Sequence, residues 1–178
     1  AGWSSESLED LLGPGYRSHL DRGEGAPLLR RSAGTSALAR LVRALVVGAP
    51  ADPGVLPASW LLPDGTAAVR LQALPHGGLD VTVPHDAGNV ASTVALDQVL
   101  GAGAASLTLA AATPRTAVQR VLDVGCGQGL QALLAAPHAQ QVVATDRNPR
   151  AVAYTRLAAA LNGASVEARS GDLLEPVD

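Results

Sequence analysis

The sequence predicts an α/β protein in two parts: a small α+β region over residues 1–90, then the first part of an open parallel sheet over residues 91–178. Three observations predict it. A strand-like run at 121–124 ends in glycines at positions 125, 127 and 129 and leads into a helix. Two further strand-like runs follow, at 141–146 and 165–170, separated by one long helical stretch. Strands that alternate with helices make a parallel sheet. Ahead of these, three helical stretches precede short alternating runs, without that alternation.

Residues 5–12 read as a short capped helix ended by Gly13, Pro14 and Gly15. A second helix is expected from Tyr16 to about Arg22. Thr35 or Ser36 caps the strongest helix of this region, over 37–47. There Leu38, Leu41, Val42, Leu45 and Val46 recur at helical spacing, with Arg40 and Arg43 on the other side. Gly48 and Pro50 end it. Residues 60–62 and 68–74 read as strands joined by the turn Pro63, Asp64, Gly65, and 79–83 alternates as another strand. Three helices followed by a small sheet is the order of a winged-helix domain. Such a domain would recognise an RNA or protein substrate, or simply pack beside the second part.

Residues 96–110, from Leu96 through Ser106 and Thr108, read as an Ala-rich helix. The run 121–130 (VLDVGCGQGL) then reads as a buried parallel strand, a tight turn and a helix start. Glycines let the backbone bend sharply and let a ligand approach, because no Cβ intervenes. Amides at the following helix start would face that ligand. The dinucleotide fingerprint is G-x-G-x-x-G. Here Gly125, Gly127 and Gly129 are spaced G-x-G-x-G, position 130 is Leu, and Asp123 stands two residues ahead. A carboxylate there opposes a pyrophosphate and suits a cationic amino-acid headgroup. Cys126, inside the loop, reads as a small residue of a crowded turn or as a nucleophile.

The second strand ends at Asp146, at about the interval expected of a ribose-binding acid, with Arg147 beside it. Asp146 reads equally as the cap of the helix that Asn148 and Pro149 open. Asn162 and Gly163 stop that helix. The third strand, 165–170, is followed by the turn Gly171, Asp172, Leu173.

On these residues the second part resembles the class I S-adenosylmethionine-dependent methyltransferases, a Rossmann-like fold, over roughly residues 96–177. It is most similar to bacterial two-domain amino-methyltransferases of the Asn-Pro-Pro-Tyr type, which act on release-factor glutamine or ribosomal RNA. The resemblance implies S-adenosylmethionine as cofactor. Gly125, Cys126, Gly127 and Gly129 would pack on its methionine and ribose, with Asp123 at the amino-acid end. Asp146 and Arg147 would lie at the ribose, Asp172 and Leu173 at the adenine, and Ser106 at the carboxylate. The implied activity is methylation of a nitrogen of RNA or protein. A non-catalytic cofactor-binding or scaffold protein is the alternative, and a nucleotide-dependent oxidoreductase is disfavoured by Asp123 and Leu130. No Asn-Pro-Pro run occurs, so no catalytic residue is assigned, and the chain reads as the front portion of a longer enzyme.

Composition narrows the setting. The chain has 178 residues and a net charge of −3, so broad electrostatic binding to nucleic acid gains no support. It lacks Phe, Ile, Lys and Met, and all its basic side chains are Arg. One cysteine cannot make an internal disulfide, which fits a cytoplasmic setting. No secretory signal pattern and no membrane-spanning run is present. The four histidines show no metal-ligand spacing, and no metal is expected.

Overall fold

The computed structural model describes residues 2–87 and 97–177. The expected boundary at 90/91 lies outside the described residues, as do Leu96 and Asp178; the helix expected over 96–110 begins only at Ala104, because Gly101 and Gly103 disfavour helix and leave 97–103 irregular. The chain divides into two compact units. Within the described residues, one comprises 2–73 with 86 and 87, the other 74–85 with 97–177.

The first unit is largely helical. Its helices are α1 (Ser5–Leu12), α2 (Tyr16–Asp21), α3 (Gly25–Arg31) and α4 (Ala37–Val42), the last continuing as a π-helical turn, Arg43–Val47. Ser4 and Ser7 form a reciprocal capping box at the start of α1, and Ser36 caps α4 by accepting from the Ala39 amide. These side chains satisfy amides that a helix start leaves without partners. Leu8 and Leu12, one turn apart, are fully buried with Tyr16, Leu28, Val42, Val46 and Ala73. Arg17 donates to the Ala73 carbonyl at 2.9 Å.

Three sequence expectations change here. Helix α3 was not anticipated: no side chain caps it, and its signals are only Pro27 in the first turn and the buried Leu28. The 37–47 helix widens after Val42, so that the Arg43 carbonyl accepts the amides of both Gly48 and Ala49. The stretch 60–62 is not a strand. Trp60 ends a 3₁₀ turn (Ala58–Trp60), and one isolated bridge, Leu61 to Ala67, is all that forms. Pro57 and Pro63 bracket this stretch and cannot donate to a ladder. The small sheet is instead a hairpin of β1 (Val69–His76) and β2 (Leu79–Asp86). Gly77 and Gly78 link the strands with positive φ angles of 57° and 81°, the requirement of a tight primed turn.

The second unit holds the parallel sheet β3 (Val118–Val124), β4 (Ala139–Asp146) and β5 (Glu167–Ser170), in that spatial order, with α5 (Ala104–Ala112), α6 (Leu130–Ala135) and α7 (Pro149–Asn162). This is the expected Rossmann-like α/β arrangement. Both strand pairs are parallel, with Val124 opposite Thr145 and Asp146 opposite Ser170. Strand β4 is central, and its Val142, Val143, Ala144 and Thr145 are buried. Strand β3 was expected to be buried as well. It pairs only with β4 among the described residues, and Leu122 and Val124 stand 39% and 44% exposed.

One core of this unit gathers Leu74, Val81 and Val83 of the hairpin with Ala110, Leu130, Leu133, Leu134 and Ala158. Asn162, expected only to help stop α7, also clamps β2. Its side chain accepts from the Thr82 amide at 2.8 Å and donates to the Thr82 carbonyl at 2.7 Å. Gly163 supplies the left-handed residue that ends the helix. No helix among the described residues is long and apolar enough to cross a membrane.

Candidate cofactor site

The site lies in the second unit, where β3 and β4 end. The loop after β3 is pinned to β4: the amides of Gly125 and Cys126 both donate to the Thr145 carbonyl, at 2.8 and 3.0 Å. Gly125, Gly127 and Gly129 have φ angles of 74°, 54° and 89°, a region that side chains with a Cβ rarely adopt. Their surroundings differ. A Cβ at Gly125 or Gly127 would meet only open space, whereas at Gly129 it would press on Thr155 of α7, 3.1 Å from its Cα. A Cβ is therefore unopposed at the first two glycines, and the third lets the loop pack on a helix.

Asp146 fixes the loop from the other side. Its Oδ2 accepts from the Gly127 amide and its Oδ1 from the Asn148 amide, both at 2.9 Å. The cap of α7 is not Asp146 but Asn148, whose side chain accepts from the Arg150 amide at 3.0 Å. That corrects the capping reading of Asp146 and leaves the rest of its carboxylate facing the cleft. Asn148 also donates to the Asp97 carbonyl at 2.8 Å.

Asp123 points elsewhere. Its Oδ2 accepts from the Ala132 amide of α6 at 3.1 Å, taking up a donor that the helix start leaves unpaired. Burial pushes its pKa up to about 6, against the opposing pull of that amide, and the nearby Asp146 charge adds to the rise. Cys126 is buried, and the Thr155 hydroxyl lies 3.2 Å from its Sγ and 3.1 Å from the Gly127 carbonyl. Burial pushes the thiol up to about 11, which disfavours the thiolate and removes support for the nucleophile reading.

Between these loops and the start of α5 opens a cleft of about 480 Å³, within the range of small-molecule sites. Of the residues the sequence singled out, Ser106, Gly127, Asp146 and Arg147 line it. Asp123, Gly125, Cys126, Gly129, Asp172 and Leu173 do not. Thr108 is exposed on another side of α5 from Ser106. The Asp172 turn is anchored near the same end of β4. The Gly171 amide donates to the Asp146 carbonyl at 3.1 Å, and the Thr145 hydroxyl to the Leu173 carbonyl at 3.1 Å. Leu173 holds a φ of 46°, unusual without glycine, and its side chain is exposed. The Asp172 amide is taken by Glu175 at 3.2 Å.

Sequence reasoning missed Gln128, Gln131, Asn148 and Thr155 as parts of the site. Gln131 donates to the Ser106 carbonyl at 2.8 Å and so ties α5 to α6. Among the described residues no three His, Cys, Asp or Glu side chains cluster as a metal site.

A family model described as the methyltransferase small domain matches residues 86–178, and one described as a domain of unknown function (DUF7059) matches residues 1–74. No curated protein matches the chain. Among solved structures, the T. thermophilus 16S rRNA N2 G1207 methyltransferase RsmC, in complex with AdoMet and guanosine, is 21% identical with a TM-score of 0.48; the match covers 65% of this chain and 31% of that one. A dimethyladenosine transferase from Plasmodium falciparum is 25% identical over 35% of this chain and 23% of its own, with a TM-score of 0.33. The YcgJ protein from Bacillus subtilis is 30% identical over 37% and 28%, with a TM-score of 0.32. The chain thus spans less than a third of the length of each of these proteins.

Proposed function

Because this chain belongs to the methyltransferase small domain family, whose cofactor is S-adenosylmethionine, we propose that its cleft holds that cofactor for methyl transfer to a nitrogen of RNA or protein. One observation carries the reading. Gly127 presents open space where a side chain would stand, directly beside the anchored carboxylate of Asp146. A nucleoside can rest on the bare backbone while its ribose hydroxyls donate to Asp146, which still has unused lone pairs. Ser106 and the first turn of α5 suit the carboxylate of the amino-acid end, and Arg147 borders the same cleft. The Asp172–Leu173 turn, fixed to β4 by Thr145, is the edge against which adenine would lie. Asp123 supports the loop from behind by holding α6.

The cofactor supplies a methyl group already activated on a sulfonium, so the protein's task is orientation more than acid–base work. The turn Gly171, Asp172, Leu173, followed by Pro176, supports the amino-methyltransferase class, and with it a nitrogen acceptor. The helical first unit is the natural candidate for recognising that acceptor. Titration calorimetry tests the cofactor. S-adenosylhomocysteine is expected to bind and NAD to bind at least tenfold more weakly, since the loop lacks the third glycine spacing of a pyrophosphate site. Tighter binding of NAD would overturn the proposal.

A further inference from the structure

Helix α5 forms one wall of the cleft through Ala105 and Ser106, yet little apolar packing holds it in place. Of its nine residues only Ala110 is buried, and Leu107 packs partly buried on the cluster that contains Leu130, Leu133 and Leu134. A helix this short does not hold itself in water, and so few buried contacts leave it at the low-stability end of a fold. Polar ties must supply what packing does not. Arg115, in the connection from α5 to β3, makes two of them. Its Nη2 donates to the Ala110 carbonyl of α5 and its Nη1 to the Leu134 carbonyl of α6, both at 2.8 Å. Each carbonyl lies in the last turn of its helix, where acceptors are left over and the negative end of the helix dipole favours a cation. The hairpin turn lies against the same guanidinium: a Cβ on Gly77 would stand 4.0 Å from Arg115 Nε.

We propose that Arg115 is a positioning residue: it pins the far end of α5 to α6 and so fixes the wall that Ala105 and Ser106 present to the cleft. This rests on the cofactor reading above and adds to it. Arg115 does not itself line the cleft, so its effect on a ligand passes through α5. The rigid planar fork of a guanidinium sets the spacing of the two carbonyls it bridges, and with it the seat of one helix on the other. Gln131 fastens the same pair of helices one turn nearer the cleft, through the Ser106 carbonyl. With both ties made, α5 cannot swing away from α6. Without Arg115 it keeps one amide tie and the packing of Leu107 and Ala110.

The test uses the full 178-residue chain, with amide hydrogen exchange and titration calorimetry against S-adenosylhomocysteine. Arg115→Met keeps the stem and removes the donors. Residues 104–112 are expected to lose their exchange protection in the ligand-free variant while 149–162 stay protected, and saturating S-adenosylhomocysteine should restore the protection of α5. Affinity falls by the fraction of chains that still hold α5 in place, an expected loss of roughly tenfold. A change that only lowered overall stability, in a chain still folded, would leave that affinity where it was. Arg115→Lys keeps the charge but not the fork; it should lose less of both, and it carries the comparison if the Met variant folds poorly. Protection of 104–112 equal to that of the wild type, or an affinity within about twofold of it, would overturn the role of Arg115 and leave the cofactor reading intact. Failure of the wild-type chain to bind S-adenosylhomocysteine would overturn the cofactor reading and this role with it.

Discussion

Asp146→Ala is expected to lower both the affinity for S-adenosylhomocysteine and the stability of the ligand-free chain. Were Asp146 only a ribose acceptor, as the sequence allows, the free protein would melt unchanged. The structure adds a second role. The carboxylate accepts from Gly127 and Asn148, and so ties the glycine loop to the start of α7. Hydrogen bonds to a charged group contribute about 1.5–3 kcal/mol each to binding or stability. Loss of the ribose contact should weaken binding roughly ten- to a hundredfold. Release of the two amides should lower unfolding stability by about 1–3 kcal/mol, because Asp146 is only half-buried. Asp146→Asn keeps an acceptor and should lose less of both. Calorimetry and chemical denaturation measure the two effects separately. A stability loss with unchanged affinity would assign Asp146 to the scaffold alone.

Asp123→Asn is expected to stabilise the ligand-free protein at neutral and alkaline pH. The folded state raises the Asp123 pKa from 3.8 to about 6, chiefly by burial. Between those values the folded chain holds a proton that the unfolded chain has released. Stability from this group therefore falls as pH rises through that window and stays low above it. The full shift corresponds to about 3 kcal/mol, and residual solvent access reduces it to roughly 1–2 kcal/mol. Asparagine still accepts from the Ala132 amide but carries no charge. The variant should match the wild type near pH 4 and exceed it by about that amount at pH 8. Denaturation midpoints across this range decide it, and parallel curves for the two proteins would sink the idea.

Much of the site half of this protein is legible in the sequence, because its signals are local. The glycines after β3, the acid at the end of β4, Pro149 opening α7 and Gly163 closing it all act within a few residues of themselves. What escaped depends on partners far along the chain. The pairing of β1 with β2 could be read at Gly77 and Gly78, but the Pro63–Gly65 turn offered a rival. Helix α3 has no capping side chain to announce it. The exposure of β3 depends on which strands flank it, and an apolar run reads the same at an edge as at a centre. Within the site, Gly129 looked like a third ligand-facing glycine until Thr155, on a different helix, was seen pressing against it. Gln128 gave no signal because glutamine beside glycine is unremarkable in a turn. Its place in the site comes from the fold of the loop, which sets it in the wall of the cleft.

The shielded sulfur beneath Thr155 gives this protein a built-in gauge of its own breathing. Only one sulfhydryl exists in the chain, so each molecule takes up at most one equivalent of a thiol reagent. With its pKa near 11, about one sulfhydryl in a thousand is ionised at pH 8, and the closed loop screens even that fraction. Labelling is therefore limited by how often the segment 125–129 lifts away from α7. The ratio of the observed rate to that of an exposed thiol at the same pH measures the free energy of that opening. Occupancy of the cleft holds the loop down, so saturating S-adenosylhomocysteine should slow the uptake of reagent. A mass spectrometer can follow this without any engineered tag.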